Sequence, residues 1–284
     1  MKKEKIAVLT DSGSDIERSY AQNLFILPLT IQIDDQTYID GIDITLGEVL
    51  EKLDTNKVTT SLPKPEVILE TLDKIKSLGY THVIINTISS GLSGTYNVIR
   101  MLVDEYDGLV ISIIDTRNIS KGSGYAAYNA LELIEEGKSF DEIISILENN
   151  LDNQKVFFTI GTVEYLRRGG RIGLVAGTVA SLLHIKPIIS CNEKGVYYTV
   201  KKAMGYQKAI RQAIEVAFGF ANEASKYDIT VLVAKVDERI EAFIEEIKAL
   251  FTNKRNFEIK SITPALAIHT GPEAFGLVIR KLVY

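Results

Sequence analysis

Three observations predict an α/β protein. Short runs rich in Val and Ile alternate with stretches whose apolar residues recur at helical spacing. In the first half this alternation is regular, which implies a sheet with many parallel neighbours and helices on both faces. The chain's 284 residues, 46% hydrophobic and 24% charged, have the make-up of an ordinary globular protein rather than a disordered one.

The elements follow in order. A charged start leads into a strand at 6–9, a short helix at 14–23 and a second strand at 25–33. Helices are predicted at 46–53 and 64–78, the latter carrying Val67, Ile68, Leu72 and Ile75 on one face. A buried strand at 82–88, a helix at 95–106, a strand at 110–115 and helices at 122–137 and 140–150 complete this half. Strands then fall at 156–161, 186–191 and 196–200. The turn Asn192-Glu193-Lys194-Gly195 makes a hairpin of the last two. Helices at 206–224 and 238–252 alternate with strands at 229–236, 257–262 and 277–282. The polar stretch 149–155 is the expected boundary between an N-terminal α/β domain, 1–152, with a largely parallel sheet, and a C-terminal α/β domain, 153–284, with a mixed sheet. A ligand is expected where loops collect beyond the carboxyl ends of strands.

Composition removes several function classes. Lys+Arg of 32 against Asp+Glu of 37 gives a net charge of −5, which argues against nucleic acid as the main ligand. The apolar run after the charged start is too short for a signal peptide, and no stretch reaches the ~18 apolar residues of a membrane span. A cytoplasmic protein is expected. The lone Cys191 excludes an internal disulfide framework and a Cys-based zinc site, and its apolar neighbours favour a small buried residue. Asp34, Asp35 and Asp40 have no His or Cys at metal-ligand spacing. Neither a metal nor a cofactor is expected.

Five polar segments carry candidate chemistry. Thr10-Asp11-Ser12-Gly13-Ser14-Asp15 ends the first strand, and reads equally as a site loop or as helix capping. Thr59-Thr60-Ser61 precedes Leu62-Pro63 and a helix, so it is either an N-cap or an anion-binding loop. Ser89-Ser90-Gly91-Leu92-Ser93-Gly94-Thr95 joins a buried strand to a helix. A nucleophile elbow needs glycine where Thr95 stands, so hydroxyls and amides converging on an anion fit better. Leu166-Arg167-Arg168-Gly169-Gly170-Arg171-Ile172 lacks the order of a P-loop. A helix is predicted over 172–183 with Ile172, Val175, Val179 and Leu182 on one face. Flanked by Gly169-Gly170 and Pro187, it is a candidate lid. Finally, His269 leaves an apolar strand into the turn Thr270-Gly271-Pro272.

Together these segments resemble the DegV family of bacterial fatty-acid-binding proteins, substrate carriers for fatty acid kinase. The matching pieces are Val8 to Ser12, Thr60 to Pro63, Ser89 to Tyr96, Asp115-Thr116, Glu164 to Ile172, Ile185 to Pro187 and His269 to Pro272. The resemblance implies a two-domain α/β protein holding a long-chain fatty acid between its domains, presented to a separate kinase that makes acyl phosphate for phospholipid synthesis. It implies a carboxylate held by Thr60 and Ser93 with His269 close by; Ser61 and Gly94 adjoin them in the expected head-group set. The apolar face of the lid, with Ile172, Val175 and Val179, is expected to face the acyl chain when closed and to swing out to a bilayer, where Arg167, Arg168 and Arg171 at its N-terminal side meet anionic head groups or dock the kinase. Two positions depart from relatives: Met204 stands where some carry arginine, and Glu273 where a second glycine is usual. The alternative from another class is a serine esterase using Ser93 and His269 with Asp11.

Overall fold

The computed structural model describes residues 4–179 and 184–282. Its strands are β1 (Ile6–Asp11), β2 (Leu24–Leu27), β3 (Thr30–Ile33), β4 (Gln36–Ile39), β5 (Val58–Ser61), β6 (His82–Thr87), β7 (Val110–Asp115), β8 (Gln154–Ile160), β9 (Ile185–Cys191), β10 (Tyr197–Met204), β11 (Tyr227–Val233), β12 (Lys254–Ser261) and β13 (Ala274–Lys281). They form a four-stranded sheet ordered β2-β1-β6-β7, a three-stranded sheet β4-β3-β5 and a six-stranded sheet β10-β9-β8-β13-β11-β12. The first is wholly parallel. The six-stranded sheet is mixed, with β11–β12 its parallel pair. The α/β class and the parallel and mixed sheets therefore stand as the sequence indicated.

Alternation along the parallel strands divides the core. Ala7, Leu9, Val83 and Ile85 pack against Ile68, Leu72 and Ile75 of the helix Pro65–Ser77 and Ile99 of the helix Thr95–Val103. Val8 and Ile84 face the other way, towards the helix Lys121–Glu135. That helix touches β1 and β6 on one side and β8 and β13 on the other, so it lies between the two large sheets. Close approach demands glycine there: a Cβ on Gly124 would come within 2.4 Å of the Ser14 carbonyl oxygen. The far face of the mixed sheet is covered by the helices Tyr206–Ala221 and Glu238–Leu250.

Several local expectations are corrected. The predicted helix at 14–23 is a single 3-10 turn, Ser12–Ser14. Asp11 caps it through the Gly13 N–H, and Asp15, at φ 49, turns the chain out of it. The predicted strand at 25–33 breaks at Pro28 into β2 and β3, which belong to different sheets. Thr59-Thr60-Ser61 lies inside β5, not at a helix cap, because its backbone pairs with β3. β4 was missed. His269 belongs to the last turn of the helix Pro264–Thr270, not to a strand. The helix expected over 172–183 is a 3-10 turn, Gly173–Val175, followed by one α turn, Ala176–Val179; residues 180–183, Leu182 among them, lie outside the described residues.

Candidate functional site

A cavity of about 100 Å³ opens where the three-stranded sheet, the loop after β6 and the helix Pro264–Thr270 meet; its polar lining is Thr60, Ser61, Ser93, Arg171 and His269. Each side chain has a local reason to be there. Thr60 is opposite Ile31 in the β3–β5 ladder, and the face it shares with Val58 looks inward. Ser93 ends the turn that Leu92 and Ser93 close by donating their N–H groups to the Ser89 carbonyl. His269 is one turn beyond Ala265, so both reach the cavity from one helix face. Residues far apart in sequence thus converge: Thr60 Oγ1 and His269 Nε2 are 2.8 Å apart across a separation of 209 residues.

The electrostatics follow from burial. Removal from water, and secondarily the nearby Arg171 guanidinium, hold the His269 imidazole down at about 4, so it is neutral near pH 7. Its Nδ1 is buried with no partner. Gly169 is needed beside it, because a Cβ there would sit 2.1 Å from Nδ1. Arg171 donates through Nε to the Leu92 carbonyl at 3.1 Å and through Nη1 to the Gly169 carbonyl at 2.5 Å. These bonds leave the guanidinium with further N–H donors. Ser93 Oγ is 2.8 Å from Thr95 Oγ1.

Not every expected residue is in this group. Gly94 does not line the cavity; it precedes the helix Thr95–Val103, where a Cβ would sit 3.2 Å from Leu62 Cδ1. The three arginines do not form one patch. Arg171 turns inward, whereas Arg167 and Arg168 are exposed and pair with Glu164, Arg168 also approaching Asp54 at 3.7 Å. Val175 is buried in the core and Ile172 packs against that core, so both face inward, as expected of the stripe when the segment is closed. Leu174, 61% exposed, is a large apolar side chain of this segment that does face outward. Nothing is described of the Val179 side chain. Met204 is exposed and away from the cavity, so the positive charge there comes from Arg171 instead. Glu273 borders a separate cavity with Tyr206, Lys235 and Arg239 and is not part of this wall. Nothing in the sequence marked Arg171 as inward-facing, since only the tertiary fold brings it to His269.

The esterase relay is not assembled. Ser93 bonds to Thr95 and His269 to Thr60. Asp11 instead accepts the Gly13 and Ile88 backbone N–H groups at 3.0 and 2.9 Å. Cys191 is buried, and burial pushes its thiol far up.

A second cavity, about 40 Å³ and almost wholly apolar, adjoins the first: Ile119, Tyr197 and Leu266 line both. Its wall continues with Val156, Phe158, Leu232 and Ala274.

Comparison with known proteins agrees with this architecture. A family model described as uncharacterised protein, DegV family, matches residues 5–282. A DegV domain-containing protein of Clostridium acetobutylicum is 39% identical over 280 residues, 98% of this chain and 99% of that protein. A fatty-acid-binding DegV family protein from Thermus thermophilus is 27% identical with a TM-score of 0.90, over 98% of this chain and 99% of that one. A stearic-acid-binding protein from Eubacterium ventriosum is 26% identical with a TM-score of 0.85, over 98% and 99% of the respective chains. With the family match running almost end to end and the same fold throughout, the chain belongs to the DegV family.

Proposed function

We propose that this protein binds a long-chain fatty acid, with the carboxylate at Thr60, Ser93, Arg171 and His269 and the acyl chain in the apolar cavity beyond Ile119. The observation that carries this reading is the contiguity of a polar and an apolar cavity across three shared side chains. An amphipathic ligand with one charged end fits such a pair, and solved relatives are fatty-acid-binding proteins. Both cavities are smaller than the ~300 Å³ at the low end of ligand pockets, so loading requires Ile119, Tyr197 and Leu266 to withdraw. In this reading the ligand lies between units 1–152 and 153–284.

The carboxylate is then a substrate for a separate fatty acid kinase, which transfers a phosphoryl group to form the acyl phosphate. The positioned donors favour such a role, because in-line transfer needs a fixed attacking oxygen. Segment 172–179, with Leu174 exposed and Arg167 and Arg168 alongside, is the wall that admits the lipid from an anionic membrane. Native mass spectrometry of the purified protein tests the binding reading: one retained or added palmitate per chain is expected. A chain that takes up no acyl mass from excess palmitate contradicts it.

A further inference from the structure

The helix Pro264–Thr270 that carries His269 has no cap of its own. The Thr263 side chain makes no capping bond, and its Oγ1 is buried without a partner. Pro264 has no N–H to satisfy. Leu266 and Ala267 donate to the Thr263 carbonyl, which leaves the Thr263 and Ala265 N–H groups of the first turn. Both are taken by carboxylates from the other end of the chain. Asp15 Oδ1 accepts the Thr263 N–H at 3.0 Å across 248 residues, and Asp40 Oδ1 accepts the Ala265 N–H at 2.9 Å across 225.

The two carboxylates are themselves held. Asp15 and Asp40 are each only 2% exposed. The second oxygen of Asp15 accepts from Ser120 Oγ, and that of Asp40 from Ser12 Oγ at 2.6 Å. Ser120 sits at φ 55, a conformation that costs a non-glycine residue energy and persists where surrounding bonds fix it. It follows Ile119, one of the three residues that line both cavities. Ser12 Oγ also accepts the N–H of Leu29, another cavity-lining residue. Each acid therefore joins a cavity wall of the amino-terminal half to the first turn of the helix that bears His269.

We propose that Asp15 and Asp40 are positioning residues: they anchor the Pro264–Thr270 helix from the opposite half of the molecule and so set His269 against Thr60 at the head of the cavity. Neither acid touches the cavity, so they act through His269, Ile119 and Leu29. The charged groups around them are Lys260 and Lys121 near Asp15, Arg18 and the buried Asp11 near Asp40, and each other. Asparagine retains one carbonyl oxygen for the helix N–H; alanine retains none.

Three readouts on the full chain test this. In the ligand-free protein, the His269 imidazole, assigned by its loss in His269→Gln, is expected to titrate in the wild type at about 4. In Asp15→Ala and Asp40→Ala it is expected to titrate at least one pH unit higher, as the ring leaves its buried place. Asp15→Asn and Asp40→Asn restore the wild-type titration. Palmitate affinity falls at least tenfold in the alanine variants while hexadecanol affinity changes less than threefold, and the asparagine variants stay within threefold for both. Should alanine variants not fold, hydrogen exchange of the Thr263 and Ala265 amides in the wild type decides: at least hundredfold protection is expected, and free exchange overturns the proposal. Folded alanine variants with an unmoved His269 titration overturn it as well. The palmitate arm rests on the fatty-acid reading; the titration does not. A protein that binds no palmitate, yet whose His269 responds to the variants, fails that reading alone.

Discussion

At one end of the paired cavities, hydroxyls, an imidazole and a guanidinium converge from β5, the loop after β6, the segment after Arg168 and the last turn of Pro264–Thr270. At the other, Val156, Phe158, Leu232 and Ala274 present almost nothing but carbon. The two ends have different energetic tasks. About 14 buried methylenes at about 0.8 kcal/mol each offer on the order of 11 kcal/mol, against several kcal/mol of association cost. In the proposed reading, an apolar end opened by the withdrawal of Ile119, Tyr197 and Leu266 therefore supplies most of the affinity. An ionised carboxylate without donors would be driven towards its neutral form, so the polar end keeps it charged and fixes its direction. In the fatty-acid reading proposed above, affinity therefore resides in the tail and orientation in the head.

The largest effect that can break this division is at the passage between the ends. Ile119→Trp closes it and excludes about six methylenes, which at about 0.8 kcal/mol each removes roughly 5 kcal/mol. Palmitate displacement of a fluorescent fatty acid should weaken more than a thousandfold while octanoate loses less than tenfold; equal losses would show that Ile119 does not gate the tail. Next is Arg171→Gln, which removes a charged donor worth about 1.5–3 kcal/mol. Palmitate should weaken tenfold or more and hexadecanol hardly at all.

His269 gives a pH test of the head end. Its folded value of about 4 lies below the ordinary 6.5. Between those limits the unfolded chain binds more protons than the folded one, so the stability due to this residue is present above about 6.5 and lost as pH falls towards 4. The slope is at most about 1.4 kcal/mol per pH unit. Burial raises Asp11 and Asp15 to about 7, which acts in the opposite sense over the same range. The comparison must therefore be with His269→Gln, whose melting temperature should gain on the wild type as pH drops from 6.5 to 4. A constant difference would place His269 in water. The smallest effect is expected for Ser93→Ala, about 1 kcal/mol or less, because its hydroxyl already has Thr95 as a partner and must exchange it for the ligand.

The fold was more legible than the site. β7 falls where alternation placed it, at Val110–Asp115, and the hairpin over Asn192 to Gly195 forms. These are local signals, and periodicity reports them. Thr60, Ser61, Ser93 and His269, singled out through the family resemblance, meet in one cavity; Ser93 lies in the expected strand-to-helix loop, whereas Thr60, Ser61 and His269 have settings other than those expected. Thr60 has the polar neighbours of a cap, but pairing with β3 makes its segment a strand. The apolar run 265–268 is too short for periodicity to separate strand from helix, and Pro264 at the helix start decided it. Asp15 reads as part of a site loop or helix cap and Asp40 as a carboxylate without a metal-ligand partner, because nothing local indicates partners more than 200 positions away.

The central claim, a fatty acid whose carboxylate is held at the polar end, is tested most directly by the carboxyl NMR signal of palmitate carrying ¹³C at its first carbon. The account predicts a bound resonance distinct from free palmitate that stays ionised well below the ordinary carboxylate range. It should move in Arg171→Gln and Thr60→Val and remain in place in Ala274→Leu at the tail end. A bound signal that titrates like free palmitate, or that responds to the tail substitution and not to Arg171→Gln, would contradict it.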